Sequence, residues 1–391
     1  MAFTAIKRAV MNARFHKINK HYKTDPVVGD RSYIQREGKE PVEVLFYYPE
    51  QRENMPVFVQ IHGGAWVGLD AVDDDRYCQR LSEELGAFVV NVNYKRLYDK
   101  SFPYPQEEVV DTVKWLKAHA KQLGIDPDRI ILSGGSAGGH LTAGSAILLA
   151  QQGVPIAGQI MEVPFLDFTH TIPIDFPEGD KLYKMMFELY PPKLPLDSEV
   201  LSPAAKIRSE TLEKLSPAVV IVCGRDPLHP QGEHYAELLK QHGKLLDLKL
   251  YKDGYHGFGT DKAEEKPEQD KLREDCFRYK VEKARELYAM SGEGNHGKAE
   301  NASGGSARLA SVQPAPGRLY RADPLSGASG APKAGKELRI LAGWRSLRQR
   351  QSLSRLHPPG QFEQTDDRFF RRRCFGRRIY RGQTPARGRK G

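Results

Sequence analysis

The feature that most constrains the fold is a turn of small residues that joins an apolar run to an alanine-rich segment. Residues 130–132 are predicted to form a buried strand, and residues 141–150 an apolar helix. The turn between them, Gly134-Gly-Ser136-Ala-Gly138, has the form Gly-x-Ser-x-Gly. In a nucleophile elbow this form exposes the serine hydroxyl above a sheet. A glycine-rich packing turn and a phosphate-binding loop remain alternatives, although the Gly-Lys-Ser/Thr ending of a P-loop is lacking.

Apolar runs alternate with helical patterns on both sides of this turn. Strands are predicted at residues 42–48, 56–61, 87–94, 158–164, 218–223 and 246–251, and helices at residues 73–85, 105–123, 231–243 and 264–290. This alternation predicts an α/β protein with a mostly parallel central sheet that is covered by helices on both faces. A small cap is expected from two other segments, the basic amphipathic residues 1–30 and the proline-rich insertion at residues 165–205.

Reactive side chains follow the predicted strands in four loops. In open α/β sheets the chemistry gathers in loops at the carboxyl ends of the strands, and here those loops hold His62-Gly-Gly-Ala65, Ser136, Asp226 and His256. A serine hydroxyl needs a base to become nucleophilic, and a histidine titrates in the range that lets it take and return that proton. An aspartate fixes the histidine tautomer. We therefore predict Ser136 as the nucleophile, His256 as the base and Asp226 as the orienting acid.

A serine nucleophile also requires N–H donors for the oxyanion that forms on the substrate. The helix that begins after Ser136 would supply the N–H of Ala137. The glycine-containing loop would supply the N–H groups of Gly63, Gly64 and Ala65. These four residues are the predicted oxyanion hole, and removal of one such donor typically costs about 2.7–4 kcal/mol of transition-state stabilisation.

Other residues in the sequence compete for these roles. Asp253 lies only three residues before His256 and is an alternative acid, although it sits in a predicted turn. Weaker alternatives are Glu162 and Asp167 for the acid, and His229 for the base. The sequence alone leaves the choice among them open.

Several further polar residues are interpreted as structural. His62 is expected to order its loop, and His140 to support the site with a ring that points away from the serine. Cys223 is expected to be buried in a strand. The run Asp73-Asp-Asp75 is interpreted as the acidic first turn of a helix and not as a metal site, because acidic residues are favoured there.

Taken together, these loops resemble the hormone-sensitive-lipase-like branch of the α/β-hydrolases over about residues 30–290. The matching segments are His62-Gly-Gly-Ala-Trp66, Gly134-Gly-Ser-Ala-Gly-Gly139, Asp226-Pro-Leu228 with Gly232-Glu-His-Tyr-Ala236, and His256-Gly-Phe258. Two positions depart from the family pattern. Ala65 stands where the family has a third glycine, and Gly135 stands where an aspartate is common.

The resemblance implies an α/β-hydrolase fold and the hydrolysis of small to medium carboxylic esters, without a metal or a cofactor. It implies an acyl-enzyme on Ser136, a triad completed by Asp226 and His256, and an N-terminal cap that shapes the acyl pocket. The expected partner is a small-molecule ester. Two alternatives are kept: an aryl-formamidase-type amide hydrolase that uses the same triad, and a non-catalytic small-molecule receptor of the same fold.

Residues 291–391 differ from the predicted catalytic domain, residues 31–290, in composition. They carry 21 Lys and Arg against 7 Asp and Glu, and they are rich in Gly, Ser and Pro. Such a segment buries too little apolar surface to fold, so a disordered tail is predicted. Arginines and aromatics interleave at residues 369–381, where nucleic acid would be contacted if the protein binds it at all. An inert tail and an appended or out-of-frame segment are the alternatives.

The cysteine spacing and the lengths of the apolar runs are the sequence features that bear on the cellular compartment. Four cysteines are scattered without metal-like spacing, which favours a reducing environment, and a cytoplasmic location is expected. No stretch approaches the roughly 20 apolar residues of a membrane span. The N-terminus lacks the apolar core of a signal peptide, although an organelle-targeting peptide remains an alternative for residues 1–30. A homodimer is left open.

Overall fold

The computed structural model describes residues 9–10, 12–17, 19–23, 25–174, 195–259 and 267–302. For residues 21, 267–269 and 292–302 it describes the backbone only. The chain divides into two units, Met1–Gly305 and Ser306–Gly391, and every described residue belongs to the first. Most of the predicted tail, and residues 175–194 of the predicted insertion, lie outside the described residues.

An eight-stranded sheet forms the centre of the first unit. Its strands are β1 (Asp30–Arg36), β2 (Lys39–Tyr47), β3 (Met55–Ile61), β4 (Phe88–Asn93), β5 (Ile125–Gly135), β6 (Gly158–Glu162), β7 (Ala218–Arg225) and β8 (Leu245–Tyr255). They lie in the order β1-β2-β4-β3-β5-β6-β7-β8. β2 is antiparallel to β1 and β4, and all the other neighbours are parallel. The predicted mostly parallel sheet is confirmed.

In the described part of the chain, four longer helices connect strands and a fifth follows β8. They are α1 (Asp75–Leu85), α2 (Tyr104–Ala118), α3 (Ala137–Gln151), α4 (His229–Gln241) and α5 (Pro267–Ala302). Short helices lie at Ala120–Leu123, Pro203–Lys206 and Ser209–Leu212, and 3₁₀ turns at Asn19–Lys23 and Ala71–Asp74. α5 ends twelve residues beyond residue 290, where the sequence predicted its end. No proline interrupts the backbone hydrogen bonds of that extension.

The two faces of the sheet carry separate apolar layers. Along β3, Val57 and Val59 pack into a layer with residues of α2 and α3, while Phe58 packs into the opposite layer with residues of α1 and α5. All three side chains are buried. A near-continuous apolar strand therefore serves both layers, as expected for a central parallel strand.

The edge strand β1 was not predicted from the sequence. Of its seven residues, only Ile34 and Arg36 are buried, so its apolar signal is weak. Its place is set by antiparallel pairing with β2, in which Ser32 lies opposite Val44. Long-range pairing of this kind is invisible in a local window of sequence.

The N-terminal segment lies over the loop that follows β3. Phe15 is buried and stacks on Tyr98 with ring centroids 5.9 Å apart. The Asn19 side chain donates to the carbonyl oxygen of Val67 at 3.0 Å and to the Tyr98 hydroxyl at 2.8 Å. Val10, an apolar residue of the same segment, is exposed. Among the described residues, no helix has both the length and the apolar character needed to cross a membrane.

A buried ion pair joins α5 to the sheet. Lys280 Nζ lies 2.6 Å from the Glu162 carboxylate, and both side chains are at most 5% exposed. Burial alone would lower the pKa of Lys280, but the carboxylate raises it well above its usual value, so the lysine is charged. Glu162 also pairs with Gly135 across β5 and β6, so this contact lies directly behind the Gly-x-Ser-x-Gly turn.

Candidate active site

Ser136 occupies a strained turn between β5 and α3. Its backbone has φ 55° and ψ −117°, and a non-glycine residue in such a region costs of the order of 1–3 kcal/mol. Its N–H donates to the Glu162 carbonyl oxygen at 2.9 Å, and its carbonyl oxygen accepts from the N–H of His140 at 3.0 Å. Gly138 allows the close packing that this turn needs, because an added Cβ would lie 2.0 Å from the carbonyl oxygen of Ile61.

Three predicted residues form one hydrogen-bonded row. The distance between Ser136 Oγ and His256 Nε2 is 2.8 Å, and His256 Nδ1 lies 3.0 Å from both carboxylate oxygens of Asp226. A carboxylate accepts, so Nδ1 carries the proton and Nε2 is left to accept the serine proton. Both distances fall within the roughly 2.6–3.2 Å reach that proton transfer requires.

The sheet topology brings these residues together. Asp226 follows β7 and His256 follows β8, and these neighbouring parallel strands end at the same edge of the sheet as β5, which leads into Ser136. Asp226 is 2% exposed, and its Oδ1 also accepts from the N–H of Leu228 at 2.9 Å. The carboxylate is therefore held in place independently of the histidine.

The loop after β3 presents backbone N–H groups beside the serine. A Cβ built on Gly63 would lie 3.6 Å from the Cβ of Ser136, so the two backbones are in contact. The N–H groups of Gly63, Gly64 and Ala65 donate to no other described residue. Ala137 begins α3, and N–H groups in the first turn of a helix lack a partner within the helix. The four predicted donors thus lie on the two sides of Ser136.

The same loop has an unusual backbone. Gly64, Ala65 and Trp66 have φ angles of 103°, 52° and 59°. A left-handed conformation costs an alanine roughly 1–2 kcal/mol, which gives a physical reason why a third glycine is usual at the position of Ala65. Because the peptide N–H does not depend on the side chain, alanine keeps the donor at a cost in strain.

His62 contacts this loop through a hydrogen bond and is itself packed on a tyrosine ring. Its ring stacks on Tyr94 with centroids 4.2 Å apart, and its Nδ1 donates to the Gly63 carbonyl oxygen at 2.8 Å. The Tyr94 hydroxyl donates to that same oxygen at 3.2 Å. Burial lowers the pKa of His62 to about 3, so the ring is neutral and serves to order the loop.

The competing acids make other contacts. Asp253 forms a surface ion pair with Arg225 at 3.1 Å, and both side chains are largely exposed. The Glu162 carboxylate is paired with Lys280. Asp167 accepts from the N–H of Thr169 at 2.7 Å. Asp226, in contrast, places both carboxylate oxygens 3.0 Å from His256 Nδ1.

The remaining polar residues singled out in the sequence also have structural partners. His229 Nδ1 lies 3.0 Å from the Asp226 carbonyl oxygen, and Cys223 is buried in β7. Asp74 accepts from Gln60, and Asp75 accepts from the Tyr47 hydroxyl. In the part of the chain that the structure describes, no three His, Cys, Asp or Glu side chains gather as metal ligands.

Sequence reasoning did not find two contacts between the loops of the site and distant parts of the chain. Lys280 pairs with Glu162 from a position 118 residues later in the chain, and Asn19 reaches Val67 across 48 residues. Neither residue belongs to a motif. The single local signal in the sequence is that Lys280 lies on an otherwise apolar face of a helix. That signal does not identify the residue with which the lysine pairs.

Comparison with known proteins agrees with this fold. A family model described as alpha/beta hydrolase fold matches residues 58–260. An arylesterase of Saccharolobus solfataricus is 29% identical over 236 residues, which cover 56% of this chain and 73% of that protein. The carboxylesterase NlhH of Mycobacterium tuberculosis is 29% identical over 233 residues, which cover 57% of this chain and 72% of that protein.

Solved structures show the same architecture. A hyperthermophilic esterase from the archaeon Pyrobaculum calidifontis superposes with a TM-score of 0.59 at 27% sequence identity. The match covers 73% of this chain and 94% of the esterase. The shared architecture therefore extends over nearly the whole of that esterase and leaves about a quarter of the present chain unmatched.

Proposed function

Because this chain belongs to the hormone-sensitive-lipase-like family of α/β-hydrolases and is an ester-hydrolysing enzyme, we propose that it works through an acyl-enzyme on Ser136. The supporting observation is the row of 2.8 Å and 3.0 Å contacts from Ser136 through His256 to Asp226. In this assignment His256 is the general base and Asp226 orients it. Ala137, Gly63, Gly64 and Ala65 donate to the oxyanion.

In the acylation half, Ser136 Oγ attacks the ester carbonyl carbon while its proton passes to His256 Nε2. The carbonyl oxygen becomes an oxyanion that accepts from the N–H groups on both sides of the serine. Asp226 stabilises the imidazolium that has formed. The tetrahedral intermediate then expels the alcohol, which takes the proton from His256 Nε2 as it leaves.

Deacylation repeats these steps with water. A water molecule loses a proton to His256 Nε2 and attacks the acyl carbon, and the second tetrahedral intermediate is held by the same N–H groups. Its collapse breaks the bond to Ser136 Oγ, which regains its proton from His256. The carboxylic acid is released and the starting protonation state is restored.

We propose small to medium acyl esters as substrates, in keeping with the arylesterase and carboxylesterase among the relatives. A panel of p-nitrophenyl esters of increasing acyl length, run beside an aryl formamide, tests this. We expect kcat/KM to be highest for short or medium acyl chains and much lower for the formamide. A formamide that is turned over faster than every ester would assign the protein to amide hydrolysis instead.

We propose that the catalytic domain is residues 31–290 with its cap, and that the tail takes no part in catalysis. The test is a chain that is truncated after Ala302, because α5 carries Lys280 and must be kept. We expect this shortened chain to keep kcat and KM within about twofold, because no described residue of the site lies beyond it. A loss of more than tenfold, with the thermal midpoint unchanged, would give the tail a role in turnover.

A further inference from the structure

Trp66 is the side chain that anchors the oxyanion loop, which is the strained segment Gly63–Ala65 after β3. It follows Ala65 directly, and its own φ is also positive. The indole is fully buried and packs edge-on against Phe165 at 5.5 Å between centroids. Left-handed residues other than glycine persist only where surrounding contacts determine their conformation. The contacts of Trp66 therefore set where the N–H groups of Gly64 and Ala65 point.

One of these contacts is a buried hydrogen bond to α3. The indole Nε1–H of Trp66 donates to His140 Nδ1 at 3.2 Å. His140 is completely buried, and burial lowers its pKa to about 4, so the imidazole is neutral near neutral pH. Nδ1 accepts, so the ring proton is on Nε2, which donates to the carbonyl oxygen of Leu201 at 3.0 Å.

His140 is also tied to the nucleophile through the backbone. Its N–H donates to the Ser136 carbonyl oxygen at 3.0 Å, one turn into α3. The ring and the backbone of a single residue thus reach the oxyanion loop and the serine. The two groups of oxyanion donors, Ala137 on α3 and the Gly63–Ala65 segment on the loop, are separated by more than seventy residues of sequence and are joined here by one hydrogen bond.

We propose that His140 is a positioning residue that holds the oxyanion loop in register with the nucleophile through its hydrogen bond to Trp66. This inference rests on the proposed serine mechanism, since it concerns the donors that stabilise its oxyanion. It assigns His140 no proton transfer. A displacement of about 1 Å at such donors is enough to lower turnover roughly a hundredfold.

Four variants test the bond. W66F removes the donor and H140F removes the acceptor while keeping a ring in place. The double variant W66F/H140F removes both partners, and H140N restores an acceptor close to the former Nδ1. The matched control is F168L, because Phe168 packs on both Trp66 and His140 at 5.4 Å without taking part in the hydrogen bond.

The measurements are kcat and KM for a short p-nitrophenyl ester, the affinity for a trifluoromethyl ketone that mimics the tetrahedral adduct, and the thermal midpoint. Active sites are counted by exhaustive labelling with a fluorophosphonate. We expect W66F and H140F each to lower kcat per labelled site about 10- to 100-fold with KM within about threefold. The ketone affinity should fall in parallel, the double variant should be no worse than the poorer single variant, and H140N should recover most of kcat.

F168L should lower the thermal midpoint and leave kcat per labelled site within about threefold. If W66F and H140F behave like F168L, the bond is structural only and the inference is wrong. If H140F is not recovered folded, W66F and H140N decide by the same criteria. A wild-type protein that never reacts with the fluorophosphonate would overturn the proposed serine mechanism itself. Variants that keep the wild-type turnover would overturn only the positioning role of His140.

Discussion

Replacement of Ser136 by alanine is expected to lower kcat for ester hydrolysis by roughly a million-fold, to the residual rate that the oxyanion donors alone support. The acyl-enzyme forms on Ser136 Oγ, and removal of that atom leaves His256 without the hydroxyl that now lies 2.8 Å from Nε2. The variant should also fail to react with a fluorophosphonate. Initial rates at high enzyme concentration and a gel of labelled protein measure both effects.

Ser145→Ala is the matched control for this change. Ser145 lies on the same helix α3, is buried, and donates to the Gln106 carbonyl oxygen at 3.2 Å. We expect this variant to lose about 1 kcal/mol of stability from one hydrogen bond, and to keep labelling and turnover. A Ser136→Ala protein that still turns over esters at more than a hundredth of the wild-type rate would exclude Ser136 as the nucleophile.

Asp226→Asn is expected to lower kcat by about ten-thousand-fold with the protein still folded. The carboxylate now accepts the Nδ1 proton of His256 at 3.0 Å. An amide N–H placed against Nδ1 would favour the tautomer that carries its proton on Nε2, and that tautomer cannot accept the serine proton. Steady-state kinetics beside a thermal melt separate this loss from unfolding.

Asp253→Asn controls for this change and tests the alternative acid. Asp253 is exposed and pairs with Arg225 at the surface, and exposed pairs contribute roughly 0–1 kcal/mol. We expect kcat within about twofold of the wild type and an unchanged thermal midpoint. The opposite pattern, in which D253N is inactive and D226N is active, would transfer the orienting role to Asp253.

Much of the fold could be predicted from local patterns. The apolar runs that became β3 and β4 are buried on both sides, and such strands leave a strong signal because every position is constrained. The Gly-x-Ser-x-Gly turn predicted a strand before it and a helix after it, and β5 and α3 lie there. β1 was not predicted, because an edge strand is half exposed and its position in the sheet depends on a partner strand.

The candidate site was less accessible to local reasoning. Asp226 and Asp253 are both aspartates in loops after predicted strands, and either could be the acid that orients His256 on sequence grounds. The structure separates them by burial, since Asp226 is enclosed and faces Nδ1 while Asp253 faces solvent and Arg225. Which carboxylate faces a ring depends on how β7 and β8 are paired, and strand pairing is a long-range property.

By itself, the sequence determined the α/β architecture, the family and the types of reactive residue, because these depend on short-range periodicity and on small residues that only certain turns accept. The tertiary structure alone decided the distances within the row from Ser136 to Asp226, the buried pair of Glu162 with Lys280, and the Trp66–His140 bond. Each of these joins residues far apart in the chain, at separations of up to 120 positions. Their energies depend on burial and on contact geometry, which exist only once the sheet has assembled.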